Sequence, residues 1–424
     1  MPPAPPAAAS PWTPAFRRFF VAQCLSWLGS SMTPVALSFG VLRETGSTAA
    51  LGLVLTASTV PMIALLLVGG VVADRVPRRA LLTITHLVAG LAQLGSACWF
   101  LLDARSLPVL VAVTALGGLA SAFTAPALRG IITDLVPHEA IGRANAVRTT
   151  SRNVTRMLGP GAAGLLVAVA DAGWALALDA ICLGLAAAVL ATIPNPDSSP
   201  RPPGAPTPAP TAARTSLPGA VRELLADLRG GWEEFTKHRW LWLVTCAFTG
   251  MNVLIGGVWL VLGPVSAEHT IGSAGWGLVL GARAAGQVAG GVLAYRWSPA
   301  RPMVAVLLLP LPYAAVFAAL AAGGGLPLLL GLAVLAGLGS AMGDVLWETT
   351  LQQRVARDAL SRVASIDMLL SFVSVPVGQL AAPALSALLG APLVIGLGAV
   401  LCAGTLLAPL ASADVRGLRA QAPR

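Results

Sequence analysis

Charge is what this sequence has least of. Only 11% of its 424 residues are Asp, Glu, Lys or Arg, while 56% are apolar. A soluble domain carries about 25% charged residues, and a water-soluble fold of this size could not cover its surface with so few. Lysine is almost missing: Lys237, in Phe235-Thr236-Lys237-His238, has no glycine loop before it. That excludes a G-x-x-x-x-G-K-[ST] phosphate loop, and with it ATP hydrolysis by this chain. Cys24, Cys98, Cys182, Cys246 and Cys402 lie far apart with no C-x-x-C pair, and the four histidines are equally scattered. Free thiols are expected, and a disulfide framework or a zinc site is not. No nucleophile–base set stands out, so neither an enzyme nor a cofactor or metal is expected.

What is present is long apolar runs. Runs of spanning length fall near 19–42, 48–72, 80–102, 107–130, 146–170 and 173–193. A second group falls near 240–263, 273–295, 302–322, 326–349, 364–389 and 391–411. At about 20 residues per span, the length suits about twelve crossings of a bilayer. The expected class is an all-α membrane protein. Residues 1–16 read as a disordered Pro/Ala-rich leader rather than a signal peptide, because no charged start precedes a short apolar core. The stretch 194–239 reads as a linker, rich in Pro, Ser, Thr and Ala in its first part. Within it, Val221, Leu224, Leu225, Leu228 and Trp232 recur at helical spacing among charges, the pattern of an interfacial amphipathic helix. Residues 412–424 form a tail.

Net charge is +9, and its distribution gives its meaning. With both termini inside, the inner loops hold Arg17, Arg18, Arg75, Arg78, Arg79, Arg143, Arg296, Arg301, Arg354, Arg357, Arg362 and others. The opposite loops hold only Arg43 and Arg105. This is the positive-inside bias of a multi-pass protein of the cell membrane. A nucleic-acid surface would need a basic face with interleaved aromatics, and none is found. Trp99 and Trp174 are expected at the outer interface, Trp240 and Trp242 at the inner one.

The two groups of runs repeat one another. Arg129…Val136-Pro137-His138-Glu139-Ala140-Ile141-Gly142-Arg143 is echoed 219 positions on by Glu348…Val355-Ala356-Arg357-Asp358-Ala359-Leu360-Ser361-Arg362. Gly70-Val71-Val72-Ala73-Asp74-Arg75 is echoed by Gly291-Val292-Leu293-Ala294-Tyr295-Arg296. Parallel repeats of this kind imply two pseudo-symmetric six-helix bundles, here 17–193 and 240–411, with a site between them.

At these residues the sequence resembles the major facilitator superfamily. Gly70-x-x-x-Asp74-Arg75-x-Pro77-Arg78-Arg79 stands between the second and third spans, where that superfamily keeps its G-x-x-x-D-R-x-G-R-[KR] signature. Phe16-Arg17-Arg18…Gln23…Ser26-Trp27-Leu28-Gly29, Ala125-Pro126-Ala127-Leu128-Arg129 and Ser151-Arg152-Asn153…Arg156-Met157-Leu158-Gly159-Pro160 resemble its twelve-helix drug-exporter branch, which includes macrolide-efflux and siderophore-exporter proteins. Two departures matter. The mid-helix-four arginine common in proton-coupled exporters is replaced by Val113 or Thr114, and the fifth-helix antiporter signature is reduced to Gly159-Pro160-x-x-x-Gly164.

Ionised groups inside a span cost about 2.5–3.5 kcal/mol on insertion scales, so each needs a reason. Gly70, Asp74, Arg75, Arg78 and Arg79 read as a conformational latch, with Asp74 accepting from a partner in the other half. Arg129 and Glu348, at repeat-equivalent positions near the inner ends of spans four and ten, read as a cytoplasmic gate. Asp344 lies one turn from Glu348, so the two carboxylates share a helix face and suit proton coupling, with Asp179 as a second candidate. Trp27, Met32, Arg156, Met251, Asn252, Trp259 and Trp347 are expected to line a cavity, although ordinary helix packing explains several equally well. Gly159, Pro160 and Gly164 should kink the fifth helix or allow close packing.

The reading that follows is a secondary exporter of amphipathic small molecules, driven by protons. Its partners are a small-molecule substrate, protons and the lipid bilayer, with no nucleic acid and no ATP. An importer or facilitator on the same fold is the alternative, and a non-transporting receptor or scaffold is the rival of another class.

Overall fold

The structure is a computed structural model that describes residues 10–194, 232–233, 235–355 and 357–419. The side chains of 66–75, 129–130, 133–134, 138, 357–358, 361–362 and 365 lie outside that description. Most of the linker, including the expected amphipathic segment up to 231, therefore lies outside the described residues.

Twelve long helical segments follow one another in chain order. In the first half they are α1 (Pro14–Thr45), α2 (Thr48–Arg75), α3 (Arg78–Leu101), α4 (Leu107–Leu135), α5 (Ile141–Val169) and α6 (Ala172–Ala191). In the second they are α7 (Arg239–Thr270), α8 (Gly272–Arg296), α9 (Pro302–Ala321), α10 (Leu326–Arg354), α11 (Arg357–Leu389) and α12 (Ala391–Leu407). Eleven of them are long and apolar enough to cross a membrane. The exception is α5, whose 29 residues reach about 43 Å. It falls short in composition rather than length, since Arg143, Arg148, Arg152 and Arg156 all lie along it.

Local chemistry sets the boundaries. Thr13 accepts a hydrogen bond from the Phe16 amide and Pro14 opens the first turn, so α1 starts inside the expected leader rather than after it. A capped, proline-led start makes a helix of residues that composition alone assigns to disorder. Gly46, at φ 60°, closes α1 in the left-handed conformation. Asp171 accepts from the Gly173 amide at 2.6 Å and starts α6. A π-helical segment, Ile255–Leu262, interrupts α7, and a turn at 309–311 around Pro310 and Pro312 breaks α9.

Packing repeats between the halves. In the first, α1 packs on α5 and α6, α2 on α4, and α3 on α4 and α6. Adding six to each label gives the contacts of the second half: α7 on α11 and α12, α8 on α10, α9 on α10 and α12. The halves meet through α2 with α11 and α5 with α8, a pair of contacts exchanged by the same operation. Small residues at repeat-equivalent positions make this possible. A Cβ on Gly118 would sit 1.9 Å from the Ser58 carbonyl oxygen of α2, and one on Gly337 would sit 2.0 Å from that of Arg283 on α8. Backbones approach this closely only where no side chain intervenes. Large apolar side chains such as Leu91, Leu165, Val169 and Leu388 point outward, as a lipid-facing surface requires.

Because the helices alternate in direction, the start of α1, the end of α12 and the arginine-rich loops lie at one end of the bundle, called here the basic end. Buried apolar residues form three clusters. The largest, containing Phe39, Leu51, Trp99, Leu176, Trp259, Trp276 and Phe317, draws on both halves and lies mostly toward the arginine-poor end. The other two lie toward the basic end, and each belongs to one half: Phe16, Phe19, Ile131 and Leu190 in the first, Trp240, Met303, Leu351 and Val415 in the second. One shared core and two separate ones describe a molecule joined at the arginine-poor end and parted at the other. Of the tryptophans expected at the interfaces, Trp174 and Trp242 are exposed. Trp99 and Trp240 are buried; Trp99 gives its indole N–H to the Ser106 carbonyl, which lets its ring pack inward.

Candidate functional site: a charged central cavity

The joined end is sealed by backbone contact and one ion pair. Gly159, Pro160 and Gly164 of α5 provide close packing. A Cβ on Gly159 would overlap Ser31 of α1, and one on Gly164 would lie 2.3 Å from the Ser273 carbonyl of α8. From the other side, Gly277 of α8 faces the Pro160 carbonyl at a distance that excludes a side chain. Ser273 also donates to the Gly164 carbonyl at 3.2 Å. Above this contact, Arg43 of α1 pairs with Glu268 of α7 at 2.9 Å and gives a second donor to the Val167 carbonyl at 2.9 Å. Arg43, expected in a loop of that end, lies in the last turn of α1. Composition counted it as the exception to a charge bias and missed its role as a clasp between the halves.

Below the seal the second half opens into a cavity of about 470 Å³, walled by α7, α8, α9, α10 and α11. Met251 and Asn252 on α7 and Trp347 on α10 line it, and so do both expected carboxylates, Asp344 and Glu348. Arg283 of α8 stands opposite. It donates to the Tyr313 hydroxyl at 3.0 Å and lies 5.5 Å from the centre of the Trp259 ring, while its Nε has no partner among the described residues. Trp259 itself is 2% exposed and packs on Trp276 and Tyr313, so it shapes the wall from behind. Arg156, expected in the wall, lies outside this lining: it stands on α5 one residue before Met157, whose carbonyl faces Gly281 of α8. The cavity wall thus carries one cation, Arg283, and three carboxylates, Asp344, Glu348 and Asp367, all from the second half.

Asp367 of α11 was not singled out by the sequence. It accepts from Thr245 at 2.9 Å and from the Trp347 indole at 3.2 Å, and so fixes a cavity wall. The signal was available: it is a carboxylate four residues inside the eleventh apolar run. In the first half, Asp179 is fully buried. One carboxylate oxygen accepts from Thr33 at 2.5 Å and from Gln93 at 2.6 Å, which ties α1, α3 and α6 together. The other has no partner among the described residues and presses on Gly29, where a Cβ would lie 2.3 Å away. Thr33 and Gln93 also border a smaller, mostly apolar cavity of about 330 Å³, which Leu260 of α7 and Gln379 of α11 close from the other half.

The remaining residues fall elsewhere. Met32 is packed in the shared core and Trp27 is half-buried. The side chains of Gly70, Asp74, Arg75 and Arg129 lie outside the described residues. Arg79 donates to the carbonyls of Leu190 and Ala191, and Arg18 to that of Thr192 at 2.8 Å; together they cap the end of α6. Among the described residues, α4 and α10 make at most isolated contacts, so the proposed gate positions stand on separated helices.

Two matching six-helix units, with a charged cavity in the second, define the class of multi-span membrane transporters. A family profile described as Major Facilitator Superfamily matches residues 19–378, and the chain belongs to that family. It is 27% identical over 413 residues to the enterobactin exporter EntS of Shigella flexneri, covering 95% of this chain and 88% of that protein. The protein of the same name from Citrobacter koseri is 25% identical over 418 residues, with the same coverage of both chains. Among solved structures, the nucleoside transporter NupG aligns with a TM-score of 0.69 at 12% identity, over 94% of this chain and 99% of that one. A D-xylose–proton symporter aligns with a TM-score of 0.63 at 15% identity, over 92% and 97%. These structures share the fold.

Proposed function

We propose that this chain is a secondary exporter of amphipathic small molecules, of the drug or siderophore type, and not an enzyme. The observation that carries the reading is the single shared core at one end and the two separate cores at the other, beside a charged cavity. Such a molecule needs only to exchange which end is joined to move a solute across the membrane. The positive-inside bias makes the basic end cytoplasmic, with both termini inside the cell, so the conformation described is open to the cytoplasm and ready to load. Similarity to the enterobactin exporters across nearly the whole chain supports export over import.

Coupling to protons rests on Asp344 and Glu348. Two carboxylates one turn apart beside a cavity repel each other when both are ionised, and holding a proton relieves the repulsion. Arg283 shares the cavity wall with them. Asp179 takes part only when its cage of Thr33 and Gln93 opens. Closure of the cytoplasmic side brings Arg129 and Glu348 together as a gate and engages Gly70, Asp74, Arg75, Arg78 and Arg79 as a latch. No ATP is needed: each charge carried across 100 mV supplies about 2.3 kcal/mol.

The test is efflux from cells expressing the chain, measured for a panel of amphipathic compounds and iron chelators with and without a protonophore. Lower accumulation of at least one compound, restored by the protonophore, is the expected result. Unchanged accumulation of every compound counts against export, and efflux that ignores the protonophore but requires sodium removes the proton assignment.

A further inference from the structure

A second pocket lies outside the transport path, at the basic end. The tail turns back after α12 and forms a short helix, Ala413–Gly417, whose Val415 is fully buried with Phe235 and Trp240 beneath the start of α7. This docking gathers cations from three distant parts of the chain. Lys237, His238 and Arg239 come from the entry to α7, Arg354 from the last turn of α10, and Arg419 from the tail. They ring an open pocket of about 720 Å³ with Asp414 as the one carboxylate in its wall. Arg354 also donates to the Arg419 carbonyl, which fixes the tail against α10. The first amides of α7 open on the same place, since His238 provides no side-chain cap.

Like charges held together repel, and a fold that converges four Lys or Arg side chains on one acid is stabilised by an anion. The pocket's depth is marked by Trp242, exposed one turn into α7, a residue type that settles at headgroup level. We propose that this pocket binds the phosphodiester headgroup of an anionic phospholipid and so clamps the tail to α7 and α10. Its orientation-independent chemistry makes it separate from the export reading.

The test uses the full chain in mixed micelles. Native mass spectrometry counts retained phosphatidylglycerol against phosphatidylcholine, and melting is followed in each lipid and with millimolar inorganic phosphate. Wild type should retain phosphatidylglycerol preferentially and melt higher in it. The Arg239→Gln/Arg419→Gln pair should lose roughly tenfold or more of that preference. The Arg301→Gln/Arg416→Gln pair, which removes the same charge outside the pocket, should keep it. Where the first pair melts lower in phosphatidylcholine, the single Arg239→Gln change replaces it. Equal loss in both pairs, or undiminished preference in the pocket variants, overturns the site. Stabilisation by inorganic phosphate equal to that by phosphatidylglycerol overturns the lipid in favour of a free anion.

Discussion

Asp179 in the first half and Asp344 in the second both stand well inside a span, and their surroundings differ in almost every respect. Asp179 is closed off from solvent, receives two donors on one oxygen and sits at a three-helix contact. Asp344 is exposed on a cavity wall that it shares with Glu348 and Arg283. Asp367, although in the second half, resembles Asp179 in accepting from two donors, Thr245 and Trp347, but takes one on each oxygen. A carboxylate engaged by donors on packed helices holds a structure together, and one that faces a cavity and a like charge is free to exchange a proton. The charge of a residue in a span is a reason to look; its neighbours decide what it does.

That contrast can be broken in a graded series. Asp344→Asn should have the largest effect: with one proton's coupling removed, the gradient sustained at 100 mV falls by up to roughly fiftyfold, while exchange of substrate at equal concentrations persists. Steady-state accumulation against counterflow in vesicles separates the two. Asp179→Leu should instead cost stability, about 1–3 kcal/mol, because Thr33 and Gln93 are left without their acceptor. Its signature is a lower melting temperature in detergent with coupling retained in the surviving protein. A melting temperature at or above wild type would mean that Asp179 is not the strut described.

The gate should show smaller effects. Arg129→Glu or Glu348→Arg alone should slow efflux severalfold, on the order of 1 kcal/mol, and the double reversal should recover most of it. A double variant no better than the singles would end the gate proposal. The Arg43–Glu268 clasp is part-exposed at both ends, and such pairs contribute about 0–1 kcal/mol. Arg43→Gln should therefore change transport least, seen as faster labelling of a cysteine placed at the joined end, and the Arg43→Glu/Glu268→Arg swap should reverse it.

The helix content, the number of spans and the pairing of the halves were legible because each follows from short-range or periodic features: apolar run length, loop charge and a repeat near 219 positions. Proline and glycine in the fifth helix were legible as special but not in their purpose, since only the opposing Ser31 and Ser273 show that they remove volume. Asp344 with Glu348 was readable from helix geometry, because a spacing of four places both on one face. Asp367 and the Arg43–Glu268 pair were not. Their partners lie about 120 and 225 positions away, and no local pattern encodes a contact of that span.

The sequence by itself determined that the chain is a bundle of membrane-crossing helices in two matching sets, because a bilayer core forces every backbone amide into an internal bond and a fixed span into about 20 residues. Tertiary structure alone decided which end is joined, which carboxylates see water and which arginines are spent on helix ends. Those outcomes depend on distances between helices remote in sequence, and the same apolar runs are compatible with either end being closed.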